Sequence, residues 1–128
     1  MSENINNVYI DLIDFQIDIP LTFENVRKYF SDYHYESCCE QHYLDWDYIK
    51  DFLPTAVSVV PEFNKVEIKG TPEMGITLFF INWDNRFGIF VPWYAINNGY
   101  YSDELTLKVT LPSWWKREYD ITSYQTDN

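Results

Sequence analysis

The sequence predicts an α+β fold: a mostly antiparallel, twisted sheet with one or two short helices in the N-terminal half. Three observations carry this. From Ala56 onward, runs rich in β-branched and aromatic residues recur between turn residues. Between Thr22 and Asp32 the apolar residues instead fall at helical spacing. No apolar run reaches membrane-spanning length, the longest being Ile76 to Ile81. With 128 residues the chain has room for one core of independent stability, so residues 1–128 are expected to form a single domain.

The elements follow in order. Val8, Ile10 and Leu12 alternate with Tyr9 and Asp11; Phe15, Ile17 and Ile19 then continue one residue out of phase. That pattern reads as a strand with a bulge near Ile13-Asp14, or as two short strands. Pro20 stops it. Thr22 then offers an N-cap hydroxyl, Glu24 suits the positive end of the helix dipole, and Phe23, Val26, Tyr29 and Phe30 form one apolar stripe over Thr22 to Asp32. Asp47 to Leu53 reads as a turn or two of helix interrupted by Pro54. Strands are expected over Ala56–Val60, Asn64–Lys69, Ile76–Asn82, Arg86–Tyr94 and Leu105–Leu111, joined as a meander. Asp84-Asn85 and Asn98-Gly99 are placed as hairpin turns, and the tail 123–128 is polar.

Composition narrows the function. Hydrophobic residues at 46% and charged residues at 23% exclude a disordered acidic tail. The formal net charge of −11 sets the surface against phosphates and anionic membranes, so the expected partner is a basic protein, with no direct nucleic-acid or membrane contact. The first residues hold no basic segment and no long apolar stretch, and the only two cysteines are adjacent, which together predict a cytoplasmic, reducing setting. GxGxxG, Walker A and HExxH motifs are all missing from the sequence, and nothing positions the carboxylate pairs Asp45/Asp47 or Asp103/Glu104 for acid–base work. No motif specifies a reaction.

Charge is concentrated. Residues 1–62 hold twelve acidic and three basic side chains, residues 63–128 eight and six. No Lys or Arg occurs from Phe30 to Ile49, where Asp32, Glu36, Glu40, Asp45 and Asp47 are interleaved with Tyr33, Tyr35, Tyr43, Trp46 and Tyr48. Acids among aromatics suit a surface that meets a basic protein, and Glu36, Glu40, Asp45, Asp47, Tyr35, Tyr43 and Trp46 are the predicted partner-binding set; the same pattern also serves a solvated face. Trp83, Trp93, Trp114 and Trp115 are a weaker candidate, a stacking platform that lacks the basic groove such platforms use.

Both histidines and both cysteines fall within nine residues, His34 to His42. On an extended segment His34, Glu36, Cys38, Glu40 and His42 share a face, so His34, Cys38, Cys39 and His42 are the candidate metal ligands, with zinc the ion they suit. The spacing matches no standard zinc pattern, and the half-buried strand remains the competing reading. Cys38 is roughly 13 Å from either histidine on a strand, too far for a local nucleophile–base pair.

Two segments carry a resemblance. Glu36-Ser37-Cys38-Cys39-Glu40-Gln41-His42-Tyr43-Leu44-Asp45 and Asn98-Gly99-Tyr100-Tyr101-Ser102-Asp103-Glu104-Leu105 resemble, in the same order, a family of small uncharacterised proteins of bacteria and their phages. That family has a Cys-Cys-Glu core in an acidic stretch and an Asn-Gly-Tyr-Tyr-Ser turn. The likeness spans about Tyr33 to Val109 and departs at Pro54-Thr55-Ala56, where a glycine-bearing helix end is expected. It implies an α+β fold and a phage or prophage setting, and transfers no catalytic residue. The sequence thus points to a small acidic interaction protein, a phage-encoded inhibitor occupying a basic surface of a nucleic-acid-handling or host defence protein. A metal-binding module on His34–His42 is the alternative.

Overall fold

A computed structural model describes residues 3–4, 7–11, 17–33, 41–71, 75–96, 104–110 and 116–122. In chain order the elements are β1 (Glu3–Asn4), β2 (Asn7–Asp11), β3 (Ile19–Pro20), α1 (Phe23–Tyr29), β4 (Phe30–Tyr33) and β5 (Gln41–Leu44). A 3-10 helix (Trp46–Phe52) runs directly into α2 (Leu53–Val59). Then come β6 (Glu62–Phe63), β7 (Lys65–Thr71), β8 (Gly75–Asn82), β9 (Asn85–Ile96), β10 (Glu104–Thr110) and β11 (Lys116–Thr122).

The fold is α+β. A curled five-stranded antiparallel sheet has the order β2-β7-β8-β9-β5, and a second sheet has the order β1-β11-β10-β4, in which β1 and β11 are parallel. β7, β8 and β9 form the middle of the expected meander, because consecutive strands joined by short turns pair most directly, but β10, expected to continue it, pairs with β11 and β4 in the second sheet instead. Alternation along β7–β9 sends Val66, Ile68, Ile76, Leu78, Phe80, Ile89, Val91 and Trp93 into the core. Phe30, Leu107 and Val109 of the second sheet join the same cluster. Phe80 knits the two together: its ring meets Phe30 edge-on at 6.3 Å and Phe63 at 4.9 Å.

Thr22 caps α1 as expected, its hydroxyl accepting from the Asn25 N–H at 3.1 Å. The helix, however, ends at Tyr29. Phe30 turns extended, with φ −126° and ψ 126°, and begins β4, which pairs with β10. A ladder to β10 and full burial of Phe30 outweigh one further helical turn.

Ala56–Val60 is not a strand but the last turn of α2 and its C-cap, Val60. Pro54 does not interrupt the helix; it occupies the first turn, where no intrahelical N–H is needed. Leu53, Ala56 and Val60 are buried at helical spacing while Val57 and Val59 face outward. The β8–β9 turn also sits one residue earlier than expected. Asn82 pairs with Asn85, so Trp83 and Asp84 are its central residues, and Trp83 takes a left-handed φ of 52°. β11, with its partner β1, was not expected from the sequence at all.

The bulge at Ile13-Asp14, the turn at Asn98-Gly99, Trp114, Trp115 and the tail 123–128 lie outside the described residues. No helix among the described residues is long and apolar enough to cross a membrane.

Candidate functional site

The acidic-aromatic run emerges where β5 meets the 3-10 helix. β5 lies against the C-terminal third of β9, with Gln41 opposite Ile96, Tyr43 opposite Tyr94 and Leu44 opposite Trp93. Tyr43 and Tyr94 stack across the pair at 5.4 Å, and both rings are substantially exposed. One residue beyond Leu44 the chain leaves the sheet. The Asp45 N–H still donates to the Pro92 carbonyl at 2.8 Å, and the Asp45 carboxylate caps the 3-10 helix by accepting from the Tyr48 N–H at 3.3 Å.

Four of the predicted partner-binding residues are described, and they divide. Tyr43 is on the surface. Asp47 is 80% exposed at its side chain and lies 3.4 Å from Lys50. Asp45 is half-buried, and its carboxylate is committed to the cap. Trp46 corrects the expectation: it is 4% exposed, its indole part of the core. Its Nε1 donates to Asp32 Oδ1 at 2.7 Å, and Arg27 lies over the ring at 4.9 Å. The indole therefore supports the surface from beneath and offers it no contact area. Tyr35, Glu36 and Glu40 lie outside the described residues.

The metal candidates His34, Cys38 and Cys39 also lie outside them; of His42 only the backbone is described, in β5 opposite Ala95. Among the described residues no three His, Cys, Asp or Glu side chains gather around a common point. The tryptophan platform divides too: Trp93 is buried, whereas Trp83, at the hairpin tip, is 73% exposed.

The structure adds neighbours to the predicted set, among them Tyr48, which the acidic-aromatic run already contains. Tyr48 and Phe52 stack at 5.3 Å on the outside of the 3-10 helix, and both are well exposed. With Phe87, Gly88, Ile89 and Phe90 of β9 they line a cavity of about 260 Å³. Asp47 and Asp51 are exposed on the same helix. Lys50, its one basic residue, is held by Asp47 and lies 4.8 Å over the Phe23 ring, which moves its charge off the aromatic face. Tyr48 and Phe52 at i and i+4 could have marked such a face, but its partners, Phe87 to Phe90 of β9, are 35 or more residues away in sequence and only the fold reveals them.

Comparison with protein-family models, curated proteins and solved structures finds no match for this chain.

Proposed function

We propose that the protein is a small acidic, non-enzymatic interaction protein whose β5 and 3-10 helix surface engages a basic protein partner. The observation that carries this is the exposure of two aromatic pairs, Tyr43 with Tyr94 across β5 and β9 and Tyr48 with Phe52 on the 3-10 helix, together with the exposed acids Asp47 and Asp51 on that helix. Aromatic side chains bury much area at low entropic cost on binding, and the carboxylates select and steer a cationic surface. The overall charge of −11 extends that steering beyond the patch.

A basic surface of this kind is what nucleic-acid-handling proteins present, so an inhibitor of such a protein is the most specific form of the reading. The phage setting rests on the two motifs in Glu36–Asp45 and Asn98–Leu105 alone. Reversing Glu36, Glu40 and Asp47 to Lys, leaving the helix-capping Asp45 in place, tests the proposal. Binding to a basic partner should weaken at least tenfold and fall with ionic strength. Affinity unchanged by both would end it.

The metal-binding alternative draws on the clustering of His34, Cys38, Cys39 and His42. Elemental analysis of untagged protein decides it: zinc near one equivalent, with a thermal shift on adding zinc, replaces the interaction reading for that segment.

A further inference from the structure

We infer that the gap between the 3-10 helix and β9 receives a single arginine side chain of the basic partner, its guanidinium seated among Tyr48, Phe52, Phe87 and Phe90. This rests on the acidic-interaction reading above and names the residue type by which the partner is anchored.

β5 ends at Leu44, and the chain continues from it as the 3-10 helix, which packs along the flank of β9 that β5 leaves. The two do not close completely. Tyr48 and Phe52 of the helix and Phe87, Gly88, Ile89 and Phe90 of β9 line a space of about 260 Å³. Gly88 has no side chain to fill it, and Tyr48, Phe52 and Gly88 are exposed, so the gap opens to solvent. An apolar cavity of ~150 Å³ holds benzene. This one has room for one large side chain.

Four of the lining residues are aromatic, and the face of an aromatic ring is its negative side. A cation close to such a face is attracted to it. Every Lys and Arg side chain among the described residues already lies over a ring of this chain, Lys50 over Phe23 at 4.8 Å and Arg86 over Phe79 at 4.1 Å among them. None lies over the four rings of the gap. The described residues thus have no further cation to supply.

Charge agrees with an outside cation. In a helix of three residues per turn, positions i and i+3 eclipse, which sets the exposed Asp51 in line with Tyr48. Asp51 has no ion pair among the described residues, whereas Asp47 lies 3.4 Å from Lys50. The net charge of −11 draws the same sign of ligand.

Arginine suits the gap better than lysine. Its guanidinium is planar, stacks on aromatic faces and is more weakly hydrated than an ammonium, so it loses less on leaving water. Its donors also meet backbone. Gly88 and Phe90 share the strand parity of Pro92, whose carbonyl accepts from the Asp45 N–H on this flank, so their N–H and C=O groups turn away from β8 toward the helix.

The test titrates the full-length, ¹⁵N-labelled protein at low salt with four capped pentapeptides that share a Lys-Gly-X-Gly-Lys frame, X being Arg, Lys, citrulline or Leu. The Arg peptide should bind about fivefold more tightly than the equally charged Lys peptide, and about tenfold more tightly than the other two. It should also move the Gly88 and Phe90 amide resonances. Phe52→Ala, which trims a half-exposed ring, should bring the Arg and Lys peptides to equal affinity; the wild-type comparison stands by itself if that variant does not fold. Equal, salt-sensitive binding of the Arg and Lys peptides with Gly88 unmoved overturns the arginine pocket while sparing the acidic-interaction reading. Tightest binding by the Leu or citrulline peptide overturns the cationic occupant. No binding by any of the four overturns the pocket and counts against the acidic-interaction reading as well.

Discussion

Trp46 Nε1 donates a 2.7 Å hydrogen bond to Asp32 Oδ1, tying the start of the 3-10 helix to β4. The second oxygen of the same carboxylate accepts from the Leu44 N–H at 3.3 Å. One acid from the run that reads as a charged surface is therefore a joint between β4, β5 and the helix carrying Tyr48 and Phe52. The exposed aromatic face depends on it.

Asp32→Ala leaves the buried indole N–H without its acceptor. It should lower unfolding free energy by about 2 kcal/mol, measured by urea denaturation, whereas Asp47→Ala, which loses only an exposed ion pair, should cost under about 0.5 kcal/mol.

Glu67 is buried on the outer side of β7 and is bridged by Arg86, whose guanidinium lies 4.1 Å over the Phe79 ring. Arg86→Ala strands a buried carboxylate and should cost about 2 kcal/mol, and adding Glu67→Gln should recover part of that loss. A double variant less stable than Arg86→Ala would show that the pair is not the source of the effect.

Two glycines on adjacent strands are covered by aromatic rings. A Cβ at Gly75 would collide with the Phe90 ring and come within 2.8 Å of the Val91 carbonyl oxygen, whereas one at Gly88 would meet only the Phe79 ring, at 2.6 Å. Backbone cannot swing aside as a ring can. Gly75→Ala should therefore destabilise more than Gly88→Ala, by about 1 kcal/mol within a 1–3 kcal/mol range for overpacking, in parallel thermal melts.

Trp83 holds a left-handed φ of 52° at a two-residue hairpin turn. Asn adopts that conformation far more readily than a bulky aromatic. With the indole 73% exposed, little packing is lost. Trp83→Asn should raise stability by about 0.5–1 kcal/mol, seen as a higher thermal midpoint.

The central strands were legible because Lys65–Thr71, Gly75–Asn82 and Asn85–Ile96 are rich in β-branched and aromatic residues and bounded by turn residues, a signal read from local pattern alone. Ala56–Val60 misled because β-branched residues carry strand propensity, while the deciding fact, burial of Leu53, Ala56 and Val60 on one helical face, belongs to the tertiary structure. Trp46 misled for a related reason. Its neighbours Asp45 and Asp47 point to solvent chemistry, but its indole has an acceptor fourteen residues back, a contact that no local pattern announces. Of the site, the acidic and aromatic composition was readable; the pairing of Tyr48 and Phe52 with the edge of β9 was not, because it joins segments far apart in the chain.

The interaction reading is tested most directly by using the untagged protein and its Asp47→Lys/Asp51→Lys variant as parallel baits in cell lysate, eluting with a salt gradient and identifying retained proteins by mass spectrometry. The wild-type chain should retain a basic, nucleic-acid-handling protein that leaves as salt rises and is missing from the variant. The same proteins on both baits, held without regard to salt, would contradict the account.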